Sequence, residues 1–367
     1  MERARYDIVD GHNDLPWAMR ELCRYDFARA DLATGVPAVQ TDIPRLRAGE
    51  VAGQFWSVYV PSTMEGGAAV TATLEQIDFV YRMLDRYPTD FALALRGDDV
   101  DRARSEGRIA SLIGIEGGHS IDESLGVLRT MYQLGARYMT LTHNDNVPWA
   151  DSATDRPVLG GINSFGRDVI NEMNRIGMMV DLSHVSADVM RQAIVTTTAP
   201  VIFSHSSARA ICDSPRNVPD DVLATIPANG GLCMVTFVPS FVSSRVRTWY
   251  EECREIVSTR GGDPKSFTAV DAVAKERADS MPYATIDDVC AHIEHVRDMC
   301  GIAHVGIGGD FDGSMMMPSG LTDVSGYPRL LDALVARKWS SREIDLLCRE
   351  NILRVLRSVE DVAGSAP

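Results

Sequence analysis

The sequence predicts an α/β chain folded as a (β/α)8 TIM barrel, with additional helices at its ends and a long insertion after the seventh strand. Three observations carry this. Apolar runs of strand length alternate along the chain with segments of helical period. Two of them, MMVDLSH and PVIFSH, flank the helical segment VSADVMRQAIVTTTA, which makes a β-α-β unit with parallel strands. Histidine then recurs at the downstream end of one strand after another, on the rim where α/β folds place their chemistry. A doubly wound open sheet competes, but no G-x-G-x-x-G opens a helix after the first strand.

In chain order, Tyr6 to His12 is the first strand, and Asp10, His12 and Asp14 alternate, so an extended backbone points them to one side. Residues 17–48 read as helical or irregular, with Asp42 as an N-cap before Ile43-Pro44. Phe55 to Val60 is the second strand, followed by a helix from Thr73 to Tyr87 with Leu74, Ile77, Val80, Tyr81 and Leu84 on one face. Ala110 to Ile115 is the third strand and ends at Glu116-Gly117-Gly118-His119. A helix over Ser124 to Leu134 is closed by Gly135, and Tyr138 to Thr142, the fourth strand, ends at His143. A loop with Pro148, Trp149, Gly160 and Gly161 leads to a helix over Ser164 to Arg175. Strands five and six end at His184 and His205. A short helix over Asp220 to Ile226 precedes the seventh strand, Gly231 to Phe237. Residues 238–284 are too long for a simple connection and read as a lid or helical insertion. An amphipathic helix over Ile286 to Met299 precedes the eighth strand, His304 to Gly309, which ends at Asp310-Phe311-Asp312-Gly313. Helices over Tyr327 to Arg337 and Ser341 to Ser358 complete the pattern, and residues 1–367 form one barrel domain.

With 45% hydrophobic residues the chain can fill a barrel core, and a net charge of -15 argues against nucleic acid as partner. The seven cysteines are odd in number, widely spaced and without C-x-x-C, as expected of reduced, buried thiols. The first residues enter a strand without an apolar leader, the last are polar, and no run approaches the roughly 18 apolar residues of a membrane helix. A cytoplasmic protein with no membrane partner is expected.

Strand ends supply His12, Asp14, Glu116, His143, His184, His205 and Asp310. His292 and His295 are expected on the surface of their helix, and His304 at the opposite rim. Imidazole mixed with carboxylate, without thiolate, suits Zn, Mn or Fe. His12, Asp14, Glu116, His184 and His205 are more protein ligands than one catalytic zinc with an open position uses, so a two-metal site fits better. Glu116 falls between the other ligands in chain order and could bridge. Each residue also has an ordinary reading: Glu116 as an acid buried against an arginine, Asp14 as a helix N-cap, Asp312 as the shaper of the DFDG turn. The last is preferred for Asp312. A Ser183-His184-Asp181 triad is rejected, because strand neighbours point apart and no G-x-S-x-G is present.

The segments DGHNDLPW (10–17), GIEGGHS (114–120), LTHNDNVPWADSA (141–153), VDLSH (180–184), PVIFSHSSARA (200–210), RNVPDD (216–221) and HVGIGGDFDG (304–313) resemble the membrane dipeptidase family, peptidase family M19, over nearly the whole chain. The resemblance implies an amidohydrolase-like barrel with two zinc ions that hydrolyses dipeptides, some members accepting a D-residue at the C-terminal position, and it implies a homodimer. It implies His12 and Asp14 on the first zinc, Glu116 bridging, and His184 and His205 on the second. His143 would contact the substrate carbonyl or its oxyanion, Arg216 the terminal carboxylate, and Asp310 the proton of a metal-bridging hydroxide. Arg209 is the rival to Arg216, but SSARA reads as the start of a helical turn. Unlike the mammalian branch, the sequence shows no secretory signal or anchor tail, and Phe237-Val238-Pro239 departs at the side-chain pocket. Another binuclear hydrolase, a deaminase or lactonase, is the alternative; Arg216 favours the dipeptidase.

Overall fold

Among the described residues nine strands, all parallel, form one sheet: β1 (Ile8–Asn13), β2 (Val51–Tyr59), β3 (Phe91–Leu93), β4 (Ile109–Glu116), β5 (Ala136–Thr140), β6 (Met179–Asp181), β7 (Ile202–Phe203), β8 (Leu232–Val235) and β9 (Val305–Ile307). They belong to a computed structural model that describes residues 5–264 and 266–364. Eight of the strands follow one another in the order β1-β2-β4-β5-β6-β7-β8-β9, each joined to the next by a crossover, which is the (β/α)8 barrel expected. The ninth, β3, pairs with β4 off this path, with Phe91 opposite Ile109. It was not foreseen, because three residues directly after a helix carry no periodicity.

The barrel is nearly closed. Between β9 and β1 the seam is made by a single parallel bridge, Asn13 to Phe311, with the Asp14 N–H donating to the Phe311 carbonyl at 2.9 Å. Asp10, fully buried, completes the seam from the side-chain level: it accepts from the Gly309 N–H at 2.7 Å and the Tyr327 hydroxyl at 2.6 Å, and from Gln54 on β2 at 2.7 Å.

Alternate residues of each strand separate into two cores. Val9, Phe55, Leu112, Tyr138, Met179, Ile202 and Met234 share one cluster with Leu353 and Leu356 of the C-terminal helix. Their strand neighbours Ile8, Trp56, Ile113, Met139, Val180, Phe203 and Val235 pack with the surrounding helices. Strands buried on both faces are the reason the sequence shows continuous apolar runs rather than clean alternation. The seven cysteines are all free and buried, and among the described residues no helix is long and apolar enough to cross a membrane.

The 238–284 connection is helical, with helices at Pro239–Val242, Ser244–Thr259 and Phe267–Glu276. Trp249, Cys253 and Val257 pack against Val270, Val273 and Ala274, a small core separate from that of the barrel. His292 corrects one expectation. It is buried rather than on the surface; its Nδ1 accepts from the Ala208 N–H at 3.0 Å, and its Nε2 lies 3.2 Å from the Val242 carbonyl. Burial pushes its pKa down to about 4. The sequence could not show this, because the insertion that covers that helix face folds from distant residues. His295 lies 2.8 Å from Asp220.

Gly114 on β4 is in register with Tyr138 on β5, and a Cβ at Gly114 would overlap the tyrosine ring. Gly114→Ala is therefore expected to destabilise the barrel by about 1–3 kcal/mol, the usual cost of overpacking. Denaturant unfolding of both proteins measures it; an unchanged midpoint would show that the barrel interior relaxes around the methyl.

Candidate active site

Parallel strands deliver their C-terminal ends to one rim, and the residues singled out in the sequence meet there. His12 belongs to β1 and Asp14 follows it; Glu116 ends β4; His143, His184, His205 and Asp310 follow β5, β6, β7 and β9. All seven are buried. Glu116 lies among four imidazoles with its two oxygens turned to different partners. Oε2 accepts from Ser57 at 3.0 Å and lies 3.4 Å from His12 Nε2. Oε1 lies 2.9 Å from His184 Nε2, 3.5 Å from His205 Nε2 and 3.8 Å from His143 Nε2. His12 Nε2 is also 3.5 Å from Asp14. Three overlapping groups could each hold a cation: His12, Glu116 and His205; Glu116, His143 and His184; His12, Asp14 and Asp310.

Hydrogen bonds fix which imidazole nitrogens point inward as acceptors. The Tyr138 hydroxyl donates to the Gly11 carbonyl at 3.1 Å, so it accepts from His12 Nδ1 at 2.8 Å. His12 Nε2 is then a lone-pair donor, and it is buried without a hydrogen-bond partner. His205 is set the same way: Ser204 donates to Asp181 at 2.5 Å and accepts from His205 Nδ1 at 2.8 Å. His184 Nε2 and His205 Nε2 are 2.9 Å apart beside the Glu116 carboxylate. Two nitrogens so placed are stable only with a cation or proton between them, and imidazole with carboxylate is the ligand chemistry of zinc and its neighbours. The residues present fit a divalent metal ion.

The electrostatics divide the four histidines. Burial, reinforced by the nearby Arg216 cation, holds His143, His184 and His205 well below the ordinary histidine pKa, which keeps them neutral. Burial acts the same way on His12, but Tyr138, Glu116 and Asp14 outweigh it and raise its pKa well above the ordinary range, so a proton sits there until a cation replaces it. Burial also raises Asp310 well above the carboxylate range, with Asp14 and Glu116 adding to it. For Asp14 burial is outweighed by His12, and its pKa is lowered. His184, Asp310 and Asp312 have φ of 70°, 62° and 66°, left-handed backbone that is costly for residues with side chains and is concentrated at functional sites.

Over this floor lies a pocket of ≈ 320 Å³. Trp17 and Tyr59 line one side, and Phe241, Tyr250, Arg254 and Val270 of the insertion line another. The insertion thus serves as a wall of the pocket. Arg216 also borders it. The guanidinium is buried, sits 5.3 Å from the centroid of the Phe241 ring, and leaves Nη1 without a hydrogen-bond partner. Burial lowers its pKa to about 10, still charged at neutral pH. Arg209 is not at the pocket; it grips the carbonyls of Ser214 (3.3 Å) and Pro215 (2.7 Å) and so braces the loop that carries Arg216.

Two ordinary readings are overturned and one is enlarged. Glu116 is surrounded by histidines, not held by an arginine. Asp14 occupies the N-cap position of its helix, but its side chain caps no N–H and turns to His12. Asp312 does shape the turn, exchanging hydrogen bonds with Gln40 at 2.6 and 2.8 Å, and it also lines the pocket. Ser183 and Asp181 form no triad with His184: the Ser183 hydroxyl accepts from the His205 N–H, and Asp181 accepts from Thr140, Ser183 and Ser204. The residues missed were Tyr138, Ser204 and Asp181, which hold the histidines from behind. The available signal was an aspartate shortly before His12 and before His184, and a serine directly before His184 and His205.

The chain is 40% identical over 362 residues to Dipeptidase 3 of Mus musculus, covering 97% of this chain and 65% of that protein. It is 41% identical to Dipeptidase 3 of Rattus norvegicus, covering 97% and 66%. The chain thus spans about two thirds of the length of these relatives. Among solved structures, the probable dipeptidase PvdM from Pseudomonas aeruginosa superposes with a TM-score of 0.84 at 21% identity, covering 97% of this chain and 96% of that one. A metallo peptidase from Rhodobacter sphaeroides, liganded with a phosphinate mimic of the dipeptide L-Ala-D-Ala, gives 0.79 at 22% identity, covering 96% and 99%. At these identities the two structures attest the barrel. The profile of Membrane dipeptidase (Peptidase family M19) matches residues 3–367, and by that match the chain belongs to the membrane dipeptidase family.

Proposed function

We propose that the protein is a metal-dependent dipeptidase acting with two zinc ions. One observation carries the reading: Glu116 turns one oxygen to His12 and the other to His184 and His205, while the guanidinium of Arg216, its Nη1 without a hydrogen-bond partner, borders the same pocket. His12 and Asp14 would hold one ion, His184 and His205 the other, and Glu116 both. Bound zinc supplies Lewis acidity and an acidified water at neutral pH. The chain's own groups do the rest. Arg216 receives the terminal carboxylate of the dipeptide through its planar fork, and Phe241 fixes the plane of that fork. His143 donates a hydrogen bond to the carbonyl oxygen as it gains charge. Asp310, which bound cations beside it would hold ionised against the effect of burial, takes a proton from the nucleophilic water and returns it to the leaving amine. Tyr59 packs 4.8 Å from the His143 ring and limits water at that edge. Extension to dipeptides ending in a D-residue is taken from the ligand of the Rhodobacter sphaeroides structure.

Purified protein is expected to carry about two zinc ions per chain, as a bridged site requires. Glu116→Ala should lower occupancy of both, read by elemental analysis; full metal content in the variant would remove the bridging role.

Asp310→Asn should keep its zinc and lose on the order of 10²-fold or more in turnover, the usual size of a general acid–base contribution. Loss of zinc together with activity would make Asp310 a ligand instead.

Arg216→Met should depress kcat/KM for dipeptides with a free carboxylate while leaving zinc content normal. C-terminally amidated dipeptides, poor substrates from the start, should lose little further. Equal losses for the two forms would show that Arg216 does not read the carboxylate.

A further inference from the structure

Asp181 is fully buried, ends β6 and lines no part of the pocket, yet both histidines of one half of the site depend on it. Its Oδ1 accepts from the Ser183 N–H at 3.0 Å and the Ser204 N–H at 2.9 Å. These are the residues directly before His184 and His205. Its Oδ2 accepts from the Thr140 hydroxyl at 2.9 Å and the Ser204 hydroxyl at 2.5 Å. A serine hydroxyl has one proton. Once that proton is given to Asp181, Ser204 can only accept from His205 Nδ1, 2.8 Å away. The ring proton is thereby held on Nδ1, and Nε2 faces Glu116 and His184 as a lone pair.

We propose that Asp181 is the positioning residue of the His184–His205 half of the site. One carboxylate sets the backbone of both histidines and, through Ser204, the tautomer in which His205 offers Nε2 to a divalent cation. The inference rests on the two-metal reading above. The other half is built differently. His12 is oriented by Tyr138, whose own proton goes to the Gly11 carbonyl, so that chain of hydrogen bonds ends on a neutral acceptor. The chain behind His205 ends on an acid.

Asparagine at this position separates the tautomer role from a structural one. In Asp181→Asn the amide oxygen can still accept from Ser183 and Ser204 N–H. The amide nitrogen then faces the Ser204 and Thr140 hydroxyls as a donor. Ser204 must accept from it and turn its own proton to His205 Nδ1, which moves the ring proton to Nε2, where the ligand lone pair should be. Ser204→Ala leaves His205 Nδ1 without a partner but forces neither tautomer. Thr140→Val removes a hydrogen bond to the same carboxylate without any route to His205.

Zinc dissociation constants of the holoenzyme and the three variants, measured by competition with a chromogenic chelator, decide the matter. Asp181→Asn should weaken one of the two ions by about 10–100-fold, the range for loss of a partner behind a metal histidine. Ser204→Ala should weaken the same ion less, and Thr140→Val should leave both unchanged. Should Asp181→Asn fail to fold, the contrast between Ser204→Ala and Thr140→Val carries the test alone. Zinc held as tightly in Ser204→Ala as in the unmodified protein, or loosened equally in Thr140→Val, would overturn the positioning role. Unmodified protein that takes up no zinc would instead overturn the two-metal reading, and the inference with it.

Discussion

Glu116 is the constraint around which the rim is built. A carboxylate 4% exposed is costly unless charge and hydrogen bonds surround it. Here Ser57 donates to it, and four imidazoles, each from a different strand end, face it. An imidazole that faces it with a lone pair does not compensate its charge; a proton or a cation between the two does. Tyr138 behind His12 and Ser204 behind His205 hold the ring proton of each on Nδ1 and turn Nε2 toward the carboxylate. The result is a cluster of nitrogens and carboxylate oxygens with few protons among them. Such a cluster would be stable as a whole with cations to complete it.

The groups facing the pocket were legible in the sequence because of two independent regularities. Parallel strands in βα alternation must end on one rim, so the position of His12, Glu116, His143, His184, His205 and Asp310 after apolar runs located them. Their chemistry then identified them, since a barrel core has no use for imidazole at successive strand ends. The supporting groups had no such contrast. Tyr138 opens an apolar strand and reads as core, and its reach to His12 exists only because Gly114 on the next strand leaves room for the ring. Asp181 and Ser204 sit inside strand-like runs, where a polar residue reads as noise in the pattern. His292 failed for a related reason: amphipathic period shows that a helix has two faces, not that a second layer will cover the outer one.

The insertion after β8 divides the labour of the pocket. In its helix Ser244–Thr259, Trp249, Cys253 and Val257 face the small core of the insertion. Tyr250 and Arg254, one turn apart on another face, reach the pocket. Val242 and Val246 tie the insertion to the barrel core and Tyr250 packs against both cores, so the wall can change at Arg254 and Val270 without disturbing the strand ends. The floor cannot. Each floor residue is fixed by a strand with at least one neighbour that carries another floor residue, so a shift in one strand disturbs the next. Variation in substrate side chains is thus most easily accommodated at the insertion, and the chemistry is held constant by the barrel.

The seam of the barrel joins these two demands at one place. β9 and β1 share a single bridge, and the hydrogen bonds that flank it, Asp14 N–H to Phe311 and Asp310 N–H to His12 at 3.2 Å, involve two residues that carry carboxylates of the site. Asp310 and Asp312 hold left-handed backbone there, a strain of about 1–3 kcal/mol each. Glycine would remove the strain and with it the side chain. Gly313 shows the same limit from the other side, since a Cβ would overlap the carboxylates of Asp14 and Asp310. The turn after β9 therefore alternates residues that must carry a carboxylate against the favoured backbone with one that must carry nothing. Closing the barrel and bringing Asp310 up to Asp14 are one set of hydrogen bonds, so a change that loosens the seam also moves the group proposed to handle the proton.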